Sequence, residues 1–259
     1  MRIVVKVGTS TLTYSTFGLN IRRVEEFCKV LSDLKNEGHE IILVSSGAIA
    51  MGAGKLLLKN RPSDIPTKQA AAAVGQCELM YTYDELFARY NHTVGQILLT
   101  GSDIDHEERR LHFGNTMKRL LELGVIPIIN ENDSVTTDEI VIGDNDTLGA
   151  VVAVNIDADL LILLSDIDGL YTADPHKDEN AKLISDVFEI DDYVMSLGGG
   201  SVSGLGTGGM STKLNAAKMC VDAGVDMVIA NGNSPDKLYG IVSGEKIGTR
   251  FYGKKKNRT

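Results

Sequence analysis

The residues with the most chemical content in this chain are two lysines set beside glycine. Lys6-Val7-Gly8-Thr9-Ser10 places an ammonium at the end of an apolar run and follows it with a small turn, where a backbone can approach an anion. Taken alone, Lys6 also reads as a strand-end lysine reaching for water. Far along the chain, Gly204-Leu205-Gly206-Thr207-Gly208-Gly209-Met210-Ser211-Thr212-Lys213 is a glycine-rich loop feeding a helix, with Lys213 in that helix's first turn. Such loops turn several N–H groups toward one point, which is how phosphates are bound. Gly204, Gly206 and Gly209 satisfy G-x-G-x-x-G, but no apolar strand leads into them, so the dinucleotide-binding reading fails its context. A P-loop is absent, because no Gly-Lys-Ser/Thr follows a glycine at the required spacing.

Carboxylates and carboxamides gather in two further segments, Asn130-Glu131-Asn132-Asp133-Ser134 and Gly143-Asp144-Asn145-Asp146. Carboxamides can bond both the ammonium and the carboxylate of an amino acid, and Asp133 can pair with an ammonium. Asp146 can hold lysines or help to organise Mg²⁺. Each segment taken separately is also an ordinary Asn/Asp-rich turn. Ser45-Ser46-Gly47-Ala48 leads into a helix whose free N–H groups suit a carboxylate or phosphate, with Ser46 either a hydroxyl donor or a plain N-cap. Ser165-Asp166-Ile167-Asp168-Gly169-Leu170-Tyr171-Thr172-Ala173-Asp174-Pro175 is a polar loop long enough to wrap a nucleotide, though its aspartates also suit turns. Hydrolase schemes fare worse. His106-Glu107 begins like H-E-x-x-H but meets Arg110 at the second ligand position, and no G-x-S-x-G occurs.

These residues need a frame that brings them together. Short Val/Ile/Leu runs at 3–7, 41–44, 94–99, 125–129, 160–164 and 225–230 read as strands buried on both faces. Amphipathic stretches at 21–37, 68–90, 105–122, 146–155 and 212–223 read as the helices between them, several closed by Gly38, Gly124 or Gly224. The alternation predicts an α/β fold with a mostly parallel sheet between helical layers. Pro62 and Pro66 mark 60–67 as a loop, as the Gly/Ser/Thr content marks 197–213. In such sheets ligands bind beyond the carboxyl ends of the strands, where most of the segments above fall.

The bulk properties exclude several classes. With 259 residues the chain has room for one large α/β domain. A formal charge of −9 repels a phosphate backbone, so no nucleic-acid partner is expected. Cys28, Cys77 and Cys220 are odd in number and far apart, which suggests neither a disulfide framework nor zinc. No signal peptide or run of about 18 apolar residues is evident, so a cytoplasmic protein without membrane contact is expected. The expected organisation is a domain over residues 1–250 and a basic tail over 251–259.

From Lys6 to about Thr249 the chain resembles the amino acid kinase family, and within it the kinases of free glutamate. The Lys6 segment alone is weakly specific. The segments 130–133, 143–146, 169–175 and 204–213, in this order, are highly specific. The resemblance implies a three-layer αβα sandwich around a mainly parallel sheet of about eight strands. It implies ATP-dependent phosphorylation of the γ-carboxylate of L-glutamate to L-glutamate 5-phosphate, the first step of proline biosynthesis, by direct in-line transfer. Ser46, Asp133 and Asn145 would hold glutamate. Lys6, Ser165, Asp166 and the loop Thr207, Gly208, Gly209, Met210, Ser211, Thr212 and Lys213 would hold ATP. Lys6 and Lys213 would neutralise the migrating phosphoryl group, Asp146 would hold the two lysines, and Mg²⁺ would arrive mainly through the ATP phosphates rather than a protein metal site. Proline as feedback inhibitor and a homodimer or homotetramer are further implications. Many bacterial members continue into an RNA-binding-like PUA domain, and a form without it is expected here. Another acceptor on the same fold, or a non-catalytic amino-acid sensor, are the alternatives.

Overall fold

A computed structural model describes residues 1–135, 144–175, 177–199 and 209–254. In chain order its elements are β1 (Arg2–Val7), α1 (Thr9–Leu12), α2 (Ile21–Asn36), β2 (Glu40–Ser45), α3 (Ala48–Lys55), α4 (Ile65–Ala88), β3 (Val94–Leu99), α5 (Gly101–Asp105) and α6 (Glu107–Glu122). There follow β4 (Ile126–Glu131), α7 (Asn145–Asn155), β5 (Leu160–Ser165), β6 (Asp186–Val187), α8 (Asp192–Ser196), α9 (Met210–Ala223), β7 (Asp226–Asn231), α10 (Lys237–Ser243) and β8 (Thr249–Phe251).

Among the described residues the strands form one sheet of eight in the order β3-β4-β2-β1-β5-β7-β8-β6. Every pairing is parallel except β7 with β8. Strand alternation sends successive side chains to opposite faces. Ile3, Val5 and Val7 join one core with residues of α2, α3, α4 and α10. Val4 joins the other, with residues of α6, α7 and α9. The three-layer αβα sandwich follows from burying both faces of one sheet. Lys6 shares the parity of Val4, so it leaves the sheet on the α7 side. A Cβ placed on Gly149 of α7 would lie 3.6 Å from the Cβ of Lys6, so the helix passes directly over the lysine.

The helix starts are set by side-chain caps. Asn20 accepts from the N–H of Arg23, and Asp64 from that of Thr67. The segment 60–67 is therefore not wholly loop: Asp64 caps α4, which begins at Ile65, and Pro66 sits in its first turn, where no backbone donor is required. The helix expected over 105–122 is α6, which starts at Glu107, and it is preceded by a short α5 that a capping box of Thr100 and Asp103 starts separately. Two short strands escape a reading by apolar runs, β6 and β8, although Phe251 of β8 is fully buried and continues the fold past residue 250.

Helices α3 and α4 touch at backbone level. A Cβ on Gly52 would fall 1.8 Å from the carbonyl oxygen of Ala71, and one on Gly75 would fall 1.8 Å from that of Ala48. Only glycine permits this approach.

Candidate active site

The carboxyl ends of β1, β2, β4 and β5 open toward one place, and α7 and α9 deliver their N-terminal turns to it. Asp144 caps α7 by accepting from the N–H groups of Asp146 and Thr147, at 2.6 and 2.8 Å. That cap fixes the first turn, and the first turn aims Asp146 at two ammoniums. Lys6 Nζ lies 2.6 Å from Asp146 Oδ1, and Lys213 Nζ donates to Oδ2 at 2.9 Å. All three are buried, with relative exposures of 9 % for Lys6, 1 % for Asp146 and 5 % for Lys213. Burial pushes the Asp146 carboxyl up, but the charges and hydrogen bonds of Lys6 and Lys213 prevail and hold it below the ordinary carboxylate range. The aspartate is thus a fixed anion that sets where the lysines stand.

Beside Lys6 the turn has no side chain: a Cβ on Gly8 would lie 3.7 Å from Nζ and 3.9 Å from the Leu164 carbonyl oxygen. This is space in which a phosphate oxygen fits against the ammonium. Ser165 and Asp166 lie at the end of β5, the strand paired with β1, with Ser165 Oγ donating to Asp166 Oδ1 at 3.0 Å. Gly209 is the N-cap of α9 and Met210, Ser211, Thr212 and Lys213 form its first turn, with Thr212 Oγ1 donating to the Gly209 carbonyl at 2.7 Å. Thr207 and Gly208 lie outside the described residues. Among those described, no three His, Cys, Asp or Glu side chains come together as ligands for a metal.

Next to the triad stands a network built largely from amides. Asn145, next to Asp146, donates from Nδ2 to Ser46 Oγ at 2.7 Å and to Asn130 Oδ1 at 3.1 Å. Ser46 is not the cap of α3, a place taken by Gly47 at φ +101°, so its hydroxyl is used by Asn145 instead. Asn130 Nδ2 donates to Gln76 Oε1 at 2.9 Å. Beside this network lies a cavity of about 460 Å³ whose lining includes Ala48, Gln76, Glu131 and Asp133. Burial, and then the charges of Asp133 and Asp144, push Glu131 up to about 7. Burial pushes Asp133 up to about 6, and Asp144 is raised too, by burial first. Buried carboxyls that resist ionisation are a site for a cation, which restores the charge burial opposes.

The structure therefore brings together Lys6, Asp146 and Lys213 on one side and Ser46 with Asn145 on the other, while Asp133 lines the cavity. Two participants were not among the expected site residues. Asn130 stands in a segment that had drawn notice, but Gln76 lies inside an alanine-rich helix. Its spacing from Leu79 and Tyr83, three and seven residues on, is the signal that it sits on the inward side of α4.

Comparison with known proteins gives the same picture. A profile of the amino acid kinase family matches residues 1–231. A glutamate 5-kinase of Clostridium perfringens (strain 13 / Type A) is 50 % identical over 258 residues, which cover 98 % of this chain and 96 % of that protein. One from Carboxydothermus hydrogenoformans is 51 % identical over 258 residues, 99 % of this chain but 69 % of that longer protein. Among solved structures, the product complex of T. acidophilum isopentenyl phosphate kinase superposes with a TM-score of 0.64 over 97 % of this chain and 100 % of its own. At 16 % identity that likeness speaks for the fold alone. The chain belongs to the amino acid kinase family, and within it is half identical to glutamate 5-kinases over nearly its whole length.

Proposed function

We propose that this protein phosphorylates the γ-carboxylate of L-glutamate with ATP, giving L-glutamate 5-phosphate, the first step of proline biosynthesis. The observation that carries the proposal is the Lys6–Asp146–Lys213 triad standing one residue away from the Asn145–Ser46–Asn130 network. A phosphate site and an amino-acid site are thereby joined across a single helical turn.

MgATP supplies, when bound, the phosphoryl group and the cation that offsets its oxygens. The residues that would hold it are Lys6 with the Gly8 turn, Ser165 and Asp166, and the start of α9 through Lys213, together with Thr207 and Gly208. A γ-carboxylate has a reference pKa of about 4.3, so near pH 7 it is already a nucleophile and needs no general base. What opposes reaction is repulsion between two anions, and fixed ammoniums at the point of transfer offset it. Asp146 keeps Lys6 and Lys213 from drifting onto either anion separately. Asp133 would pair with the substrate ammonium, while Ser46 and Asn145 would orient its carboxylates. An acylated nitrogen would bring no charge to Asp133, which favours an unblocked amino acid.

The same reading includes feedback inhibition by proline, assembly as a homodimer or homotetramer, and a cytoplasmic location. Among the described residues no helix is long and apolar enough to cross a membrane. It also includes one kinase domain, expected over residues 1–250 but carried by β8 through Phe251, followed by a basic tail of which 255–259 lie outside the described residues.

The test is ADP release with Mg²⁺ and a panel of glutamate, N-acetylglutamate, aspartate, carbamate and UMP, with hydroxylamine trapping any acyl phosphate. Glutamate-dependent ADP with matching hydroxamate is expected. Turnover with another acceptor alone would overturn the substrate, and glutamate binding without ADP would overturn the reaction in favour of a sensor.

A further inference from the structure

The carboxamide network has a polarity that can be read from one fixed point. The backbone N–H of Glu131 donates to Asn130 Oδ1 at 2.9 Å, so the other end of that side chain is its NH₂. Asn130 Nδ2 must then face an acceptor, and it faces Gln76 Oε1. Asn130 Oδ1 also accepts from Asn145 Nδ2, which additionally donates to the carbonyl of Ser45 at 3.3 Å. Every amide in the series is oriented by its neighbour. At the two ends stand buried atoms without a hydrogen-bond partner among the described residues, a donor at Gln76 Nε2 and an acceptor at Asn145 Oδ1. Unmet buried groups in a native site mark where something else completes the network.

We infer that Gln76 is a positioning residue for the acceptor amino acid: through Asn130 it sets the direction of the amide series that presents Asn145 and Ser46 to the substrate. With Oε1 in place, the Asn130 NH₂ has its acceptor and the oxygen stays turned to Asn145. Without it, the Asn130 NH₂ has lost its acceptor, and its orientation is held only by the Glu131 N–H and the Asn145 NH₂. Rotation would set two NH₂ groups against each other at Asn145 and leave the Glu131 N–H unmet. The backbone contact at Gly75 fixes the height of α4 that makes the reach to Asn130 possible. Gln76 lines the cavity yet among the described residues bonds only within the network, so it acts on the substrate through Asn130. This inference rests on the amino-acid kinase reading above but not on which amino acid is used.

A double-mutant cycle with Gln76→Leu and Asn130→Ala tests it. Gln76→Leu should raise KM for glutamate about tenfold, the scale of one oriented hydrogen bond, and move KM for ATP less than about twofold. The double variant should be no worse than Asn130→Ala alone to within about twofold, because the first residue works through the second. Independent effects that multiply in the double variant would overturn the inference, as would equal rises in both KM values accompanied by a fall in Tm. Should Gln76→Leu not fold, Gln76→Asn, one methylene too short to reach Asn130, carries the same cycle. If the wild type turns over a different acceptor, the cycle is read on that acceptor. If it turns over none, the cycle is read on glutamate affinity by calorimetry.

Discussion

On the side of the site proposed for phosphate, Asp146 fixes Lys6 and Lys213 through full charges at 2.6 and 2.9 Å, whereas on the side proposed for the acceptor Gln76, Asn130, Asn145 and Ser46 are joined through neutral groups. The first side has one anion held ionised by its partners; the second has carboxyls that burial drives toward neutrality. The difference follows from what each must do. A field aimed at a transferring phosphoryl group has to be in place before reaction, since reorganising charges during transfer adds to the barrier. An acceptor site has to reject wrong molecules, and directional donors and acceptors do that better than bare charge.

The comparison breaks most sharply at Asp146. Asp146→Ala leaves two buried ammoniums without the carboxylate between them, and removing one partner of a buried pair costs about 3–5 kcal/mol. Tm should fall by several degrees and ADP release should drop to near background. A variant that keeps both would show that the lysines are placed by something else. Next come Lys6→Ala and Lys213→Ala, each expected to lower kcat about 10²–10³-fold while KM for glutamate changes little, as steady-state kinetics with both substrates will read.

The acceptor side should respond to pH where the phosphate side does not. Glu131 and Asp133 have raised values, about 7 and about 6, so lowering the pH protonates Glu131 first and Asp133 second. An ammonium binds the ionised forms, so KM for glutamate should rise as pH falls from 8 to 5, most steeply below 6. Asp133→Asn should remove the lower inflection. A flat profile would deny these carboxyls to the substrate. The smallest effect is expected at Tyr83, whose hydroxyl, buried on α4, bonds Ser45 Oγ at 2.8 Å just before the Ser46 turn. Tyr83→Phe should cost about 1 kcal/mol in chemical denaturation and shift KM for glutamate by less than about threefold.

How much of this was legible beforehand depends on the kind of residue. The six strands with long apolar runs stand within two residues of expectation, because a strand covered on both faces has to be apolar over most of its length. Strand β8 offers only Thr249, Arg250 and Phe251, and β6 only Asp186 and Val187, too few for any period to show. They exist because neighbouring strands offer free edges. That Lys6, Asp146 and Lys213 would stand together was expected from the resemblance rather than from any one segment, and the structure brings the three side chains into contact. For Gln76 the spacing from Leu79 and Tyr83 could have shown which way it faces, but not its partner, since Asn130 is 54 residues away.

The backbone contact between α3 and α4 has a mechanical consequence. With no side chains between Gly52, Ala71, Gly75 and Ala48, nothing in that seam can slide or rotate to absorb a displacement. The two helices move as one slab, so any breathing of the cavity is hinged at the ends of that slab, at the Ser46-Gly47 turn from β2 and in the 89–93 connection to β3.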